Sequence, residues 1–171
     1  KYANHNISGT IQLLNAATES DVRYVIFSST AAVYGNPQYI PMDEEHPTKP
    51  SNFYGYTKLA IEELLGWYAQ LKGLRFASLR YFNAAGYDID GKIKGLESEP
   101  NNLLPIVMEA VISKRPFVEV FGTDYDTPDG SCIRDYIHVN DLADGHVRAL
   151  EYLTRETYNP ILNLGTSNGM S

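Results

Sequence analysis

The pattern of apolar and polar positions in the first half of the chain predicts two strands separated by a helix. Residues 22–28 are mostly apolar and rich in β-branched and aromatic side chains, which indicates a strand buried on both faces. Residues 74–81 have the same character and predict a second strand. Residues 51–72 have helical periodicity. The three elements together predict a βαβ crossover in a parallel sheet.

The predicted helix has recognisable signals at both of its ends. Ser51 or Asn52 is a suitable N-cap, and Gly73 follows the last turn as a stop signal. The apolar positions that we expect to face the core are Leu59, Leu64, Leu65, Tyr68 and Leu71. Residues 35–50 contain four prolines, so they are predicted to form a surface loop before the helix.

The second half of the chain also alternates between apolar and polar segments. It predicts a helix over residues 102–114, a strand over 117–121, a turn-rich loop over 124–130 and a short strand that begins at Arg134. Asn140 is the expected N-cap of a helix over residues 141–156. The core-facing positions of this helix are expected to be Leu142, Val147, Leu150 and Leu153.

Composition narrows the class of protein. With 171 residues, 43% of them hydrophobic and 20% charged, the chain can bury a core as one domain or as two interleaved subregions. A net charge of −7 argues against nucleic-acid binding. No apolar run approaches the length of a membrane span. Cys132 is the only cysteine, which excludes intrachain disulfides and makes a cytoplasmic location the default expectation.

Two kinds of site are disfavoured by spacing. The histidines form no tight cluster with each other or with cysteine, so we predict no metal site; they are His5, His46, His138 and His146. His138 lies at a predicted strand end, where a packed or capping role is expected. Neither Ser28 nor Ser29 lies in a Gly-x-Ser-x-Gly turn of the serine-hydrolase kind, which disfavours both as nucleophiles.

The strongest chemical signal is a tyrosine and a lysine four residues apart in the predicted helix. Tyr54 and Lys58 would point into one site, and a neighbouring ammonium lowers the pKa of an acid by about one to three units. Ser28, Ser29 and Thr30 end the preceding strand, and ligands in open parallel sheets lie beyond the carboxyl ends of strands. These residues together predict a site that transfers protons.

A second pair with the same spacing serves as a comparison within the same helix. Tyr68 and Lys72 are also four residues apart, but no hydroxyl cluster precedes them at a comparable distance. We therefore interpret Tyr68 as a partly buried aromatic residue and Lys72 as a solvated charge. Spacing alone does not separate the two pairs, since a chance pair of this kind is common.

Several ordered motifs carry a resemblance to a known family. They are the segments 28–35 (SSTAAVYG), 54–58 (YGYTK), 80–86 (RYFNAAG), 101–105 (NNLLP), 121–130 (FGTDYDTPDG) and 134–139 (RDYIHV). The set resembles the UDP-glucose 4-epimerases of the extended short-chain dehydrogenase/reductase superfamily, and the similarity runs nearly end to end. Ordered motifs at family-like separations are far more specific than one Tyr-Lys pair.

The resemblance implies an α/β fold. Residues 1–83 are expected to form the C-terminal part of an NAD-binding Rossmann-like domain with a doubly wound parallel sheet. Residues 84–171 are expected to belong mostly to a smaller α/β substrate-binding region, interleaved with the last part of that sheet. The family's Gly-x-x-Gly-x-x-Gly turn is missing, the chain opens inside a predicted helix (residues 6–14), and residues 163–168 predict a strand with an unfinished helix entry. We therefore expect the middle of a longer protein.

The resemblance also implies roles for individual residues. Thr30, Tyr54 and Lys58 are the expected catalytic residues, and the same three with Phe82 are expected to contact NAD. The expected UDP-sugar contacts are Thr30, Tyr54, Asn83, Asn102, Leu103, Glu119, Val120, Phe121 and Arg134. In this set the strand over 119–121 flanks the uracil and Arg134 holds the pyrophosphate, for which a guanidinium is suited. The alternative for Arg134 is an ion pair with Asp135 or Asp141.

The implied reaction inverts C4 of a UDP-hexose through a transient 4-keto sugar. Tyr54 as phenolate takes the proton of the 4-hydroxyl while NAD⁺ takes the hydride, and Thr30 shares a short hydrogen bond with the reacting oxygen. A homodimer packed through the helix over 51–72 and the N-terminal helix is expected from the family.

Three alternative functions remain open. A 4,6-dehydratase is disfavoured because Ala31 and Ala32 follow Thr30, where dehydratases resemble Thr-Asp-Glu. A 4-epimerase of UDP-glucuronate or of a UDP-pentose is closer to the pattern. A catalytically silent nucleotide-binding relative is the alternative from a different class of protein.

Overall fold

The computed structural model describes residues 2–93 and 99–171. A π-helical segment, Ala3–Ser8, leads into the first helix. The helices are α1 (Gly9–Glu19), α2 (Phe53–Lys72), α3 (Leu103–Val111) and α4 (Val139–Arg155). The strands are β1 (Tyr24–Thr30), β2 (Arg75–Tyr81), β3 (Asn83–Ala85), β4 (Arg134–His138), β5 (Ile161–Leu164) and β6 (Gly169–Met170). None of the helices in the described residues is long and apolar enough to cross a membrane.

The main sheet is parallel and has the order β1-β2-β5. Thr30 pairs with Tyr81 and Tyr81 with Leu164, so the three strands end at the same edge. Helices cover both faces: α1 and α2 pack on one side, and α4 packs on the other. This arrangement confirms the predicted α/β class and the βαβ crossover.

Two apolar clusters hold the helices to the sheet. The first joins α1 and α2 to one face through Leu14, Ile61, Leu65, Leu74 and Phe76. The second joins α4 to the other face through Ala77, Leu79, Ala149 and Leu153. Side chains from the interior of β2 therefore point to both faces, as expected for a strand covered on each side. The side chains of β1 are mostly half-buried, because β1 lies at the edge of the described sheet.

The prediction for α2 is confirmed at both ends. The Asn52 side chain caps the helix by accepting a 2.8 Å hydrogen bond from the Gly55 N–H. Gly73 ends it in the left-handed conformation, with φ of 69°. Leu71 is an error in the predicted core set, since it is 72% exposed, and the buried aliphatic residue missing from that set is Ile61.

Helix α4 differs from its prediction in its cap and in its core face. His138, not Asn140, is the N-cap, since its Nδ1 accepts a hydrogen bond from the Asn140 N–H. A packed or capping role was expected for this histidine, and it has the capping role. Val147 and Leu150 are 57% and 44% exposed and do not face the core. The reason is periodicity, because the face that meets the sheet carries Leu142, His146, Ala149 and Leu153.

The strand predicted over residues 117–121 does not form. These residues lie after α3 without regular structure, and Phe121 is 84% exposed. The sequence has β-propensity, but a strand needs a paired neighbour, and no strand pairs with this segment within the described residues. The preceding helix also stops earlier than predicted, at Val111. The loop over 124–130 is turn-rich as predicted.

A small second sheet forms beside the carboxyl edge of the first. Strand β3 pairs with β4 in parallel, and β6 pairs with β4 in antiparallel orientation. The helix entry predicted within residues 163–168 is wrong, because β5 is followed by a turn and then by β6. Asp135 stabilises that turn by accepting hydrogen bonds from the Thr166 and Ser167 N–H groups.

Candidate active site

Three of the predicted site residues meet at the carboxyl edge of the main sheet. Thr30 is the last residue of β1, Tyr54 lies in the first turn of α2, and Lys58 lies one turn further. Gly55 lets the two elements approach closely, because a Cβ atom there would collide with the Ala32 carbonyl just beyond β1. The first turn of α2 therefore packs directly on the chain that leaves β1.

Lys58 is fixed by the backbone of β1. Its Nζ donates a 2.9 Å hydrogen bond to the Ser28 carbonyl and lies 4.9 Å from the centroid of the Phe27 ring. The distance from Nζ to the centroid of the Tyr54 ring is 5.7 Å. Burial lowers the pKa of Lys58, because the ammonium loses part of its hydration.

Tyr54 does not have the depressed pKa that the sequence suggested. Its side chain is partly buried, and this burial raises the pKa of the phenol above 10.0; the phenols of Tyr81 and Tyr2 raise it further. The Thr30 hydroxyl lowers the pKa of Tyr54 but does not overcome the burial, and no hydrogen bond of ordinary geometry joins the two hydroxyls in the described residues. The Lys58 ammonium donates to the Ser28 carbonyl and forms no hydrogen bond with the Tyr54 phenol within the described residues, and the lower pKa that the spacing predicted is not found.

A histidine that sequence analysis did not connect to this site borders it on the α4 side. The Nδ1 of His146 lies 2.7 Å from the Leu142 carbonyl, which can only accept, so this nitrogen carries the proton. Its Nε2 therefore accepts the 3.1 Å hydrogen bond from the Ser28 hydroxyl. Ser28 thus binds α4 through its side chain and α2 through its carbonyl.

A buried ion pair lies directly behind the site and was also missed. Glu62, one turn beyond Lys58 in α2, binds Arg80 of β2 with a shortest N–O distance of 2.6 Å; the side chains are 3% and 5% exposed. Ser29 donates a 2.5 Å hydrogen bond to the same carboxylate. An arginine within an apolar strand and a glutamate on the inner face of a helix were the available sequence signals, because unpaired charges are rarely buried.

The comparison pair further along α2 behaves as predicted. Tyr68 is partly buried and donates a 2.6 Å hydrogen bond to the Asn15 side chain, while Lys72 is exposed at the helix end. Tyr68 therefore links α2 to α1. Only the Tyr54 pair lies at the carboxyl edge of the sheet.

Two of the predicted substrate residues lie on neighbouring strands of the small sheet. Asn83 in β3 donates a 2.8 Å hydrogen bond to the Asp135 carbonyl, so its side chain joins β3 to β4. Arg134 is exposed and donates to the Ile133 carbonyl. Within the described residues Arg134 forms no ion pair with Asp135 or Asp141, so the alternative for Arg134 is wrong.

The remaining predicted substrate residues belong to the start of α3 and to the segment that follows this helix. Asn102 is the N-cap of α3 without a side-chain capping bond, and Leu103 is 53% exposed. Residues 119–121 are exposed in the segment after α3. Within the described residues, no side-chain hydrogen bond or ion pair joins Asn102, Leu103 or residues 119–121 to Thr30, Tyr54 or Lys58.

Phe82 occupies the joint between the two sheets. Its N–H donates a 3.3 Å hydrogen bond to the Leu164 carbonyl at the end of β5. Its ring packs against Gly165, where a Cβ atom would lie 3.0 Å from the ring. The ring therefore lies at the carboxyl edge of the main sheet, beside the predicted cofactor side of the site.

A family model and the sequences of curated proteins match this chain and agree with each other. The chain matches the model of the NAD dependent epimerase/dehydratase family over residues 1–165. It is 48% identical to a UDP-glucose 4-epimerase of Halalkalibacterium halodurans, covering 100% of this chain and 51% of that protein.

Solved structures agree with this match. The structure of UDP-glucose 4-epimerase from Brucella ovis in complex with NAD has a TM-score of 0.97 and 47% identity, covering 100% of this chain and 53% of that one. The enzyme from Bifidobacterium longum in complex with NAD⁺ and UDP has a TM-score of 0.91 and 38% identity, with coverages of 99% and 51%. The chain thus spans about half the length of these relatives, and it belongs to the NAD-dependent epimerase/dehydratase family.

Proposed function

We propose that the whole protein is an NAD-dependent epimerase that inverts C4 of a UDP-hexose and so interconverts UDP-galactose and UDP-glucose. The observation that carries this proposal is the meeting of Thr30, Tyr54 and Lys58 at the carboxyl edge of a parallel sheet. The names of the relatives support the substrate class. The proposal concerns the whole protein, because the chain spans about half of each relative.

The donor set at this edge fits NAD. Lys58 uses one of its three N–H donors on the Ser28 carbonyl, and the other two form no hydrogen bond within the described residues. Those two donors can bind the nicotinamide ribose, and Phe82 can line the nicotinamide side of the pocket. When bound, NAD supplies the hydride acceptor and, in its oxidised form, a positive charge next to the phenol.

Tyr54 is the proposed proton acceptor for the 4-hydroxyl of the sugar. Burial raises the pKa of its phenol, so the protein alone holds this residue in the neutral form near neutral pH. Lys58 contributes a fixed cation 5.7 Å from the ring, and the Thr30 hydroxyl lowers the pKa of Tyr54. We assign Thr30 to a hydrogen bond with the reacting oxygen. Together these groups would take the proton from the 4-hydroxyl oxygen as the 4-keto sugar forms, and return it to the same oxygen once the configuration at C4 is inverted.

The UDP-sugar side of the proposal uses the second half of the chain. Arg134 is exposed, and its permanently charged guanidinium suits the pyrophosphate. Asn83 and Asn102 are assigned to the sugar nucleotide. We assign the uracil to the exposed, irregular segment that includes Glu119, Val120 and Phe121. Leu103 is assigned to the same nucleotide sugar.

We propose that the chain divides into a Rossmann-like part and a substrate-binding part, and the pairing of the strands supports this division. Residues 1–83 form most of the Rossmann-like part, and β5 returns to pair with β2, so the region 84–171 is interleaved with that sheet. We further propose a cytoplasmic homodimer that packs through α1 and α2. Exposed apolar side chains on these helices support the dimer; they are Leu13, Trp67 and Leu71.

The test is an assay of the whole protein with UDP-galactose and NAD⁺ and no added reductant. The proposal predicts UDP-glucose as product without net reduction of the cofactor. A 4-keto-6-deoxy sugar as product would identify a dehydratase instead. Binding of the nucleotide sugar without turnover would identify the silent relative, and turnover of UDP-glucuronate or a UDP-pentose alone would identify the closer alternative.

A further inference from the structure

We propose that the buried Glu62–Arg80 pair is a positioning device that holds Tyr54 against Thr30 through Ser29. The inference rests on the proposed function, because it concerns the rate of the reaction assigned to Tyr54. Neither residue is assigned a contact with the substrate or the cofactor. Their role is to fix the register of α2 on β1.

Two successive turns of α2 hold two successive residues of β1. Lys58 binds the Ser28 carbonyl at 2.9 Å, and Glu62 accepts the hydroxyl of Ser29 at 2.5 Å. The next residue along the strand is Thr30, and the turn of α2 before Lys58 carries Tyr54. Tyr54 lies four residues before Lys58 in the same helix, a distance of about 6 Å along the helix axis. The two bonds that fix α2 on β1 therefore also fix the position of Tyr54 relative to the end of β1.

Arg80 makes the Glu62 anchor rigid. Its Nε lies 3.0 Å and 3.2 Å from the two carboxylate oxygens, and its Nη2 lies 2.6 Å from Oε2. Arg80 is also the direct partner of Ser29 in the β1–β2 register. A bidentate guanidinium fixes both the position and the plane of a carboxylate. Glu62 is thus presented to Ser29 in one orientation.

The pair has a second arm that leads away from Tyr54. Arg80 Nη1 donates a 3.0 Å hydrogen bond to the Tyr34 hydroxyl, which donates a 2.7 Å hydrogen bond to Asn163. Asn163 lies in β5, on the other side of β2 from β1. The Glu62–Arg80 pair is therefore joined to β1 through the Ser29 hydroxyl and to β5 through the Tyr34 hydroxyl. Removing one hydroxyl at a time separates a positioning role from a purely structural role.

The two roles predict opposite rankings of two variants. Ser29→Ala removes the bond to β1 and leaves every Glu62–Arg80 bond in place. Tyr34→Phe removes a hydroxyl that serves both Arg80 and Asn163, so it leaves the buried Arg80 and the half-buried Asn163 without this partner. If these hydrogen bonds contribute only to the stability of the fold, Tyr34→Phe should lower kcat more than Ser29→Ala does. If they position Tyr54, Ser29→Ala should lower kcat more than Tyr34→Phe does.

The experiment measures kcat and KM for UDP-galactose and the denaturation midpoint of both variants in the whole protein. We expect Ser29→Ala to lower kcat by about tenfold or more with KM within about twofold, because small displacements of a reacting group are costly. Ser29→Thr, which restores the hydroxyl, should recover most of that loss. Tyr34→Phe should keep kcat within about twofold of wild type despite a lower midpoint. An equal or larger loss of kcat in Tyr34→Phe would overturn the inference.

A second measurement does not depend on turnover. Crystal structures of the two variants would give the distance from Lys58 Nζ to the Ser28 carbonyl and the separation of the Tyr54 and Thr30 hydroxyls. A displacement in Ser29→Ala alone supports positioning, and unchanged distances in both variants contradict it. If the wild-type protein failed to epimerise UDP-galactose, the proposed function would be wrong while this measurement still decided the positioning role.

Discussion

The Lys58 ammonium is anchored to the Ser28 carbonyl, 2.9 Å away, while the Tyr54 ring centroid lies 5.7 Å from the same nitrogen. The acceptor is a backbone atom of β1, so the position of the cation depends on the strand and not on the identity of the Ser28 side chain. Burial nevertheless raises the pKa of the Tyr54 phenol, although this cation lies beside it.

The raised pKa of Tyr54 predicts the pH dependence of the reaction. A base must be deprotonated to act, so activity falls as the pH drops through the pKa of the phenol in the complex. Placing 3-fluorotyrosine at position 54 makes this phenol more acidic, and the acid limb of the kcat profile should move to lower pH. The same replacement at Tyr68 should leave the limb in place. An unmoved limb in the position-54 variant would contradict the assignment of Tyr54 as the titrating base.

The close packing of α2 on the end of β1 predicts different effects for the same substitution at two glycines. Gly55→Ala would place a methyl group on the Ala32 carbonyl, so α2 must shift and Tyr54 must move from Thr30. We expect a loss of kcat of about tenfold or more, measured in the whole protein. Gly66→Ala is the control: among the residues that the structure describes, no atom lies within 4 Å of its Cβ position, and alanine there should stabilise the helix by about 1 kcal/mol. Equal activities in the two variants would argue against the contact.

The buried ion pair predicts a large loss of stability when one partner is removed. Glu62→Gln leaves the Arg80 charge buried without its counter-charge and should lower the free energy of unfolding by about 3–5 kcal/mol, measured by urea denaturation. The double change to Glu62→Met and Arg80→Met should recover much of this loss, because no charge is then left buried.

An exposed ion pair with the same N–O distance provides the control for that experiment. Arg148 and Asp144 in α4 also lie 2.6 Å apart, but both side chains are mostly exposed. Asp144→Asn should leave the free energy of unfolding almost unchanged, since solvent screens exposed pairs. A similar loss in Glu62→Gln and Asp144→Asn would show that burial does not matter at Glu62.

The proposed dimer surface predicts a change of oligomeric state. Trp67 and Leu71 lie one turn apart on α2 and are 59% and 72% exposed, so they present an apolar patch. Trp67→Lys should convert the whole protein from dimer to monomer in sedimentation velocity, whereas Leu150→Lys on α4 should leave the dimer intact. A wild-type monomer at working concentrations, or a dimer in the Trp67 variant, would exclude this surface.

Local sequence signals were sufficient for α2 and for the end of β1. The side chain of Asn52 and the left-handed Gly73 define the helix ends by chemistry that is visible in the residues themselves. The Tyr54 and Lys58 pair followed from helical spacing, and its difference from Tyr68 and Lys72 followed from the position of the strand. These predictions required no knowledge of distant contacts.

The features that were missed depend on partners far away in the chain. Residues 117–121 have strand-like composition, but nothing in that composition shows whether a neighbouring strand is available. Glu62 and Arg80 belong to different elements, and only the fold shows that they meet. The pKa of Tyr54 likewise depends on burial and on the neighbouring phenols of Tyr81 and Tyr2, neither of which can be obtained from spacing.

The most direct test of the account compares two matched tyrosine variants of the whole protein. Tyr54→Phe removes the proposed proton acceptor and should lower kcat for UDP-galactose by about a hundredfold or more, the usual effect of a positioned proton-transfer group. Tyr68→Phe removes a hydroxyl that bonds Asn15 and should leave kcat within about twofold of wild type. Equal kcat values in the two variants, whether both low or both normal, would contradict the central claim that Tyr54 transfers the proton.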